Sequence, residues 1–303
     1  MWFRNLQLYC LTQPFDLDDE ALDAQLQTRR SRECGGLEAS TLGWEKPLGR
    51  HGVMLTHGVA QYVMICAKRY DRVLPTAVLQ ENLENRVAII EEEENREVRR
   101  KERREIKDAL MVELLPKAFS KSSLTYAYID RRGSWLVVDA ATPKRAEALI
   151  TLLRETLGSL PLKPIEVMQS PADTMTGWLK NRRLPGFLNL GDECELRDTV
   201  DGGGIVRCRG QDLEGEEIGS HLKAGKQAVK LSLEWQQRID FLVTAELAVK
   251  RLKFKEIVQE EAAGDEISDY AARFDGDFAL MTGELSRFIS SLVGCFGGLS
   301  EET

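Results

Sequence analysis

A charged stretch with almost no apolar side chains constrains the fold of this chain most, because residues 91–105 contain only Val98 as an apolar residue. The segments on either side, 76–90 and 106–115, carry apolar residues at helical spacing, which predicts two amphipathic helices. A single unbroken helix over 77–115 would be about 58 Å long. We therefore expect a helical hairpin over 76–115 that projects from the rest of the fold, with the charged stretch at its apex.

Strand and helix patterns on both sides of the predicted hairpin indicate an α+β lobe. Apolar runs predict strands over 2–11, 53–55, 61–67, 124–129 and 134–138, and helical spacing predicts helices over 16–26 and 143–157. The sequence of 130–133 is typical of a β-hairpin turn. We expect a discontinuous central lobe made of 1–75 and 116–165, with the helical tip 76–115 inserted between its two parts.

The second half of the chain, residues 166–303, predicts another α+β domain, the base, after a linker at 160–164 that contains two prolines. Its expected helices cover 175–180, 218–224, 268–274 and 277–293, and its expected strands cover 194–197, 205–209, 229–241 and 249–254. Three successive glycines at 202–204 predict a turn. The length of the chain suits two domains or one subunit with several lobes.

The distribution of charge bears on the class of ligand. A net charge of −8 and a pI near 5.2 argue at first against nucleic acid, whose phosphates bind clustered Lys and Arg. The charges are strongly segregated, however: acidic residues dominate 16–23, 91–94, 212–217 and 256–269, and basic residues dominate 96–107, 117–132, 180–183 and 250–255. Because the charge of the contacting surface matters more than the average, a nucleic-acid site stays open.

The strongest basic run lies at the predicted apex. Residues 96–107 hold seven basic and three acidic side chains, a net charge of +4, and include Arg96, Arg99, Arg100 and Lys101. One interpretation is a solvated helix face held by i,i+4 pairs such as Glu92–Arg96 and Glu97–Lys101. The other is an arm that tracks phosphates without reading sequence, since nothing in the run resembles a recognition helix.

An aromatic residue between two lysines follows the hairpin. Phe119, flanked by Lys117 and Lys121, could press on a sugar or stack near a base while the ammonium groups hold phosphates. The alternative is that Phe119 anchors the arm in the hydrophobic core.

A second basic set occurs in the second half of the chain. Arg207 and Arg209 share one face of a predicted alternating strand, and Cys208 points to the other face. Three lysines complete the set: Lys223, Lys226 and Lys230. The alternative is a solvent-facing strand side with no ligand.

Catalytic and metal-binding patterns are sparse. Six scattered cysteines without a CxxC pair indicate reduced, mostly buried thiols, and the three histidines stand in no metal-binding frame. The glycines at 202–204 lack the Lys-Ser/Thr of a phosphate-binding loop. Asp275, Asp277 and Glu284 could form the carboxylate cluster of a metal-dependent nuclease, or the aspartates could cap a helix that begins at Phe278. We expect no enzymatic activity, no metal and no cofactor.

The sequence shows no sign of a membrane or secretory protein. Residues 1–6 lack the basic-then-apolar layout of a signal peptide, and no run of about 18 apolar residues occurs. We expect a cytoplasmic protein.

A series of short motifs spans the whole chain. The motifs are Trp2–Leu6, Gly43-Trp44, Leu55–His57, Leu115–Ser120, Leu157–Pro161, Gln211–Leu213, Trp235–Arg238, Lys250–Phe254, Arg273–Asp275 and Met281–Leu285. Their order and spacing resemble those of the RdgC family of recombination-associated proteins of proteobacteria. No single motif decides the likeness, but the whole series is specific.

This resemblance implies a horseshoe-shaped subunit with a central lobe, a helical tip and a base, two of which close into a homodimeric ring around duplex DNA. It also implies nucleoid-associated binding of double- and single-stranded DNA without sequence preference. Family members restrain RecA-promoted strand exchange, which links them to recombination and to replication fork repair, and they are not known as enzymes. In such a ring an acidic chain could still bind DNA, because two copies of each basic patch would face inward.

Individual residues of the family can be carried over to this sequence. The tip arginine corresponds to Arg96, the aromatic residue near the tip to Phe119, and a polar pair in the base to Gly210 and Gln211. Because family members can carry Lys at the first position of that pair, Gly210 is a departure, and Arg209 is a candidate substitute. Two alternatives from other classes remain: a structure-specific metal-dependent nuclease, and a regulator that contacts recombinase filaments but no DNA.

Overall fold

The computed structural model describes residues 1–200, 203–258 and 269–300. Its strands are β1 Leu6–Leu11, β2 Ser40–Glu45, β3 Thr56–Val59, β4 Tyr62–Val73, β5 Phe119–Asp130, β6 Trp135–Asp139, β7 Leu162–Pro164, β8 Leu188–Arg197, β9 Ile205–Arg209, β10 Gln227–Trp235, β11 Ile239–Thr244 and β12 Val249–Phe254. Its helices are α1 Asp19–Gln27, α2 Thr76–Glu94, α3 Arg100–Leu114, α4 Pro143–Leu157, α5 Pro171–Asn181, α6 Glu216–Lys223 and α7 Tyr270–Cys295. The expected α+β class is confirmed. Among the described residues, no helix is both long and apolar enough to cross a membrane.

The chain packs into two compact units. Unit 1 contains Met1–Gln25, Lys46–Cys66 and the described part of 125–303, and unit 2 contains Leu26–Glu45 and Ala67–Leu124. The division into central lobe, tip and base stays a prediction, as do the horseshoe shape and the ring.

Unit 1 is built on an antiparallel sheet with strand order β4-β5-β6-β1-β12-β11-β10-β8-β9. Helix α7 covers one face of this sheet, and its aromatic side chains pack on that face. The ring centroids of Phe278 and Tyr128 lie 6.3 Å apart, and those of Phe288 and Phe241 lie 4.8 Å apart. Helix α5 covers the same face beside β10, where the backbone N–H of Ala228 donates to the Thr176 hydroxyl. These helices leave the opposite face of β8–β12 to charged side chains.

Local signals explain where the helices of unit 1 begin and end. Helix α4 has Pro143 in its first turn and ends at Gly158, whose φ of 75° suits a residue without a Cβ. Helix α5 begins at Ser170, whose hydroxyl accepts a hydrogen bond from the backbone N–H of Asp173 at 3.3 Å. The α4 bounds agree with the sequence-based prediction.

In unit 2 the expected helical hairpin is confirmed. Helix α2 ends at Asn95, which adopts the left-handed conformation (φ 51°), and α3 begins five residues later. The hairpin core is small; its buried residues are Leu79, Leu83, Val87 and Leu110. The Arg103–Glu84 ion pair and the 3.4 Å Arg86–Glu113 pair join the two helices.

Several predicted strands are wrong in their extent. The strands predicted over 2–11 and 194–197 begin at Leu6 and Leu188, and two more differ in kind. Residues 53–55 form bends, and the strand begins at Thr56. The single strand predicted over 229–241 is two strands, β10 and β11, joined by a turn in which Gln236 and Gln237 adopt positive φ. Because three residues separate Trp235 from Ile239, the period-2 apolar alternation continues in phase across the turn and hides it.

Two other predictions also need correction. The helices predicted over 268–274 and 277–293 are one helix, α7, which continues through Gly276 because its apolar residues keep helical spacing; residue 268 lies outside the described residues. Within the predicted linker, Leu162–Pro164 pairs with β1. Part of the turn predicted at 202–204 also falls outside the described residues.

The expectation for the cysteines is confirmed. Five thiols are buried, Cys295 is half-buried and all six are free. Burial raises the pKa of the Cys194 thiol to about 12, with a further contribution from neighbouring Cys208. The Cys194 thiol therefore stays protonated at neutral pH.

Candidate nucleic-acid interface

A basic surface of unit 1 is the face of β8–β12 opposite helices α5 and α7, which we call the open sheet face. Strand alternation places apolar side chains such as Leu231 and Leu233 under the helices and sends charged ones to the other side. The open sheet face carries eight basic side chains, namely Arg197, Arg207, Arg209, Lys230, Lys250, Arg251, Lys253 and Lys255. Its four acidic side chains are Glu193, Glu195, Glu234 and Asp240. The net charge of this face is therefore positive, although the whole chain is acidic.

Glu195 is the centre of an ion-pair network on the open sheet face. Its carboxylate accepts hydrogen bonds from Arg197 at 2.8 Å, Arg207 at 3.0 Å and Lys230 at 2.8 Å, and its side chain is 6% exposed. Burial alone would raise the pKa of this carboxyl, but the three cationic donors outweigh burial and lower the pKa to about 2. The carboxylate therefore stays charged at neutral pH and holds its three partners in place.

The two arginines of β9 are held in the same way. In the pairing of β8 with β9, Glu195 lies opposite Arg207 and Glu193 lies opposite Arg209. Each arginine donates only its Nε–H to the carboxylate, at 3.0 Å for Arg207 and 3.2 Å for Arg209. Their side chains are 61% and 68% exposed. Among the described residues, no group bonds to their Nη atoms, so the terminal fork of each guanidinium is available to a ligand.

The structure divides the second basic set that the sequence predicts. Arg207, Arg209 and Lys230 lie together on the open sheet face, as expected. Lys226 donates to Asp198 at 2.6 Å and to the carbonyl of Gly204 at 3.1 Å, beyond the end of β8. Lys223 lies in the last turn of α6, next to α5, on the other side of the sheet.

Gly210 and Gln211 follow β9 directly. Gly210 has a φ of 63°, and the backbone N–H of exposed Gln211 donates to the carbonyl of Asp192. A lysine at 210 would have open space for its side chain, but the left-handed backbone would cost about 1 kcal/mol. Glycine therefore suits the turn, and Arg209 is the adjacent cation on this surface.

In unit 2, part of the basic run at the hairpin apex is paired with acidic neighbours. All three guanidinium nitrogens of Arg96 are engaged: Nε donates to Glu94 at 2.6 Å, and Nη1 and Nη2 donate to Glu102 at 2.7 and 2.6 Å. The helix pairs predicted for the solvated-face interpretation, Glu92–Arg96 and Glu97–Lys101, are wrong in their partners. Within the described ranges Arg96 bonds with Glu94 and Glu102 and not with Glu92, and Lys101 lies 3.9 Å from Glu105. Arg99 and Arg100 are exposed, with no side-chain partner among the described residues.

Phe119 is not a core residue. It is the first residue of β5 and is 87% exposed, and Lys117 and Lys121 beside it are exposed too. The interpretation of Phe119 as a core anchor is therefore wrong. A large aromatic ring that is exposed to water and flanked by two lysines is an apolar surface that a ligand can cover.

Comparison with known proteins settles the family. The sequence model described as "Putative exonuclease, RdgC" matches residues 1–299. Relatives named recombination-associated protein RdgC include those of Psychromonas ingrahamii (42% identical, covering 98% of this chain and 99% of the relative) and Tolumonas auensis (42%, 100% of each). Another, from Pseudomonas putida strain GB-1, is 41% identical over 98% of both chains.

The chain belongs to the RdgC family. The sequence-based recognition is thereby confirmed.

The carboxylates considered for a nuclease site in this RdgC chain do not converge. Asp275 lies 2.9 Å from His57, Asp277 lies 3.0 Å from the Met1 amino group, and buried Glu284 bonds with Arg238 and Arg287. In the described ranges no group of three metal-ligating side chains occurs. The capping interpretation is wrong as well, because the two aspartates lie inside α7, whose cap is Asp269.

Sequence reasoning missed several cations of the open sheet face in this RdgC chain. Residues 250–255 were noted as a basic run but not as part of a site, and Arg197 was assigned only to a strand. The register of β11 with β12 brings Lys253 opposite Asp240 and Lys250 opposite Leu242. Simple side-chain alternation would place Lys250 and Lys253, which are three residues apart, on opposite faces. They share one face because the pairing of β11 with β12 is irregular between them, where Arg251 has a φ of 51°, and strand order joins that face to Arg207 and Arg209.

Proposed function

We propose that this protein binds the phosphate backbone of double- and single-stranded DNA without reading sequence, and that the open sheet face is a principal contact surface. The observation that carries the proposal is the pair of arginines on β9, which are well exposed and whose Nη atoms have no bonding partner in the described part of the chain. A guanidinium fork matches two phosphate oxygens, and such contacts fix position without reading bases. Membership of a recombination-associated family supports a DNA substrate.

The remaining candidates fit this proposal as secondary contacts. At the hairpin, Arg99, Arg100, Lys101, Lys117 and Lys121 are exposed cations, and Phe119 offers a ring for stacking. In unit 1, Gln211 lies directly after β9, Lys226 bonds with the carbonyl of Gly204 directly before β9, and Lys223 lies on α6. Arg96 must exchange two carboxylates for a phosphate, so we expect it to contribute less.

At the level of assembly, we propose that two copies form a homodimeric ring that encircles duplex DNA and restrains RecA-promoted strand exchange. This follows the family resemblance, and ring closure would explain how a chain of net charge −8 holds DNA. The protein would act in the cytoplasm at the nucleoid, during recombination and replication fork repair, by occupying DNA and without catalysis.

A salt titration of DNA affinity tests the binding proposal. For two duplexes of unrelated sequence we expect equal affinity, and the logarithm of the affinity should fall linearly with log salt by about 0.9 per phosphate contact. Lys253→Gln on the open sheet face should lower the slope, whereas Lys180→Gln on α5 is the control with the same change in charge. Equal affinity at about 50 and 200 mM salt would contradict electrostatic binding.

Two further measurements test the other parts of the proposal. The mass of the protein in solution should be that of a dimer, and a monomer would refute the ring. Incubation of linear duplex with Mg²⁺ should leave it intact, and shortening of the duplex would show a nuclease. Inhibition of strand exchange without measurable DNA affinity would instead favour a regulator that contacts only protein.

A further inference from the structure

The acidic residues of the open sheet face raise a question, because carboxylates on a phosphate-binding surface should weaken binding. Glu193 and Glu195 lie between the cations of β9 and β10, and their side chains are only 18% and 6% exposed. The arginines that contact them are much more exposed. Each carboxylate therefore lies beneath its arginine, with the guanidinium between it and solvent.

The atoms that form these bonds are the second observation. Arg207 and Arg209 use Nε, the nitrogen nearest the backbone, and keep both Nη atoms toward solvent. A guanidinium fixed at Nε has lost most of its rotational freedom before a ligand arrives, so less entropy is lost on binding. The other cations differ, because Lys230 gives its only charged nitrogen to Glu195 and Arg197 gives both Nε and Nη2.

We infer that Glu193 and Glu195 are positioning residues that orient Arg209 and Arg207 so that their Nη forks receive a phosphodiester group. Each carboxylate reduces the net charge of the surface but fixes the direction of the donors. The cross-strand register of β8 with β9 produces this arrangement twice, two residues apart, on one face. The inference rests on the proposed function, since it names how one part of that surface holds phosphate.

Glu193 offers the cleaner test because it is the more exposed of the two and contacts two arginines, Arg209 and Arg251. Glu193→Gln and Glu193→Ala remove the same charge, but only the glutamine keeps an oxygen that can accept the Nε–H of Arg209. A purely electrostatic role predicts equal duplex affinity for the two variants. A positioning role predicts that the alanine variant binds more weakly than the glutamine variant by roughly fivefold at about 0.15 M salt, the value of one phosphate contact.

A matched control and a double-mutant cycle complete the experiment. Glu217 lies exposed on α6, on the other side of the sheet, and its Gln and Ala variants should bind alike. The cycle is run in an Arg251→Ala background, which removes the second arginine that Glu193 contacts. There the further change Arg209→Ala should abolish the difference between the two Glu193 variants, because the residue through which Glu193 acts is gone. Far-UV spectra and melting curves establish that each variant is folded.

The outcomes separate this inference from the proposed function. If the unsubstituted protein does not bind DNA, the proposed function fails. If it binds, and the two Glu193 variants are equal, only the positioning role is overturned. A difference that persists without Arg209 would also overturn it, and the same pair of substitutions at Glu195, read against Arg207, then tests the second site independently.

Discussion

The hairpin apex and the open sheet face both contain arginines beside carboxylates, yet they leave different groups for a ligand. At the apex, Arg96 is bonded through all three guanidinium nitrogens to two glutamates. On the sheet, Arg207 and Arg209 are each bonded through Nε alone among the described residues. These three arginines carry the same charge, so the comparison shows that equal charges can leave different numbers of donors for a ligand.

Local geometry explains the difference. Helix α2 carries six glutamates and one arginine, so the folded hairpin brings an excess of carboxylates next to the basic residues of the apex. In the sheet, directly opposed residues pair one to one, and each β9 arginine faces a single carboxylate. The net charge of +4 counted over 96–107 is therefore offset in space by residues that precede it in sequence.

The largest effect that we expect concerns the cores beneath these two surfaces. Leu110→Ala removes one of the four buried side chains of the hairpin and should destabilise it by about 2–5 kcal/mol. Hydrogen exchange should show faster exchange of α2 and α3 amides, while β10 and β11 of unit 1 keep their protection. Equal loss of protection in β10 and β11 would show that the hairpin and the sheet unfold as one.

The second-largest effect that we expect is on how the free energy of unfolding depends on pH, which should differ between the Glu195 ion pairs of the sheet and the Glu102–Arg96 pair of the apex. Glu195→Gln leaves three cations without their carboxylate and should cost about 1–3 kcal/mol at pH 7. Because the pKa of Glu195 in the folded protein, about 2, lies below its unfolded value, this stabilisation is fully present above about pH 4.3 and is lost as the pH falls toward 2.

The measurement is the difference in unfolding free energy between the unsubstituted protein and Glu195→Gln from pH 7 to pH 3. Glu102 at the apex is the comparison: hydrogen bonding from Arg96 lowers its pKa too, but solvent screens that pair, and Glu102→Gln should change stability less. A Glu195 difference that is independent of pH would contradict the network as described.

A smaller effect is expected on DNA affinity, and it should differ between Arg209 of the sheet and Arg96 of the apex. Arg209→Ala should weaken duplex binding roughly fivefold at about 0.15 M salt, whereas Arg96→Ala, whose donors are already occupied, should weaken it less than about twofold. Both side chains are exposed, so neither change should alter the melting temperature measurably. A larger loss for Arg96 would reverse the comparison and assign the main contact to the apex.

The smallest effect on stability is expected at Phe119. Since the ring is 87% exposed, Phe119→Ala should change the unfolding free energy by less than about 0.5 kcal/mol, although its exposed ring should still matter for DNA retention or for inhibition of strand exchange. Melting curves and gel shifts on this variant measure both. A variant that melts, binds and inhibits like the parent would remove Phe119 from the candidate site.

The sequence was most informative where a signal was local. Helical spacing predicted the hairpin, Pro143 and Gly158 predicted the bounds of α4, and alternation predicted that Arg207 and Arg209 share a face. The turn at Gln236 was missed because the apolar alternation passes through it in phase. The open sheet face was found only in part, because strand order, which joins 250–255 to β8 and β9, depends on contacts distant in sequence.

The central claim, that the open sheet face binds DNA, is tested most directly by the chemical reactivity of lysines with and without duplex DNA. Acetylation followed by mass spectrometry reports each ammonium group separately in the intact protein. We predict that saturating duplex protects Lys250 and Lys253 several-fold and leaves Lys180 on α5 as reactive as in the free protein. Protection of Lys180 with unchanged reactivity of Lys250 and Lys253 would contradict the claim.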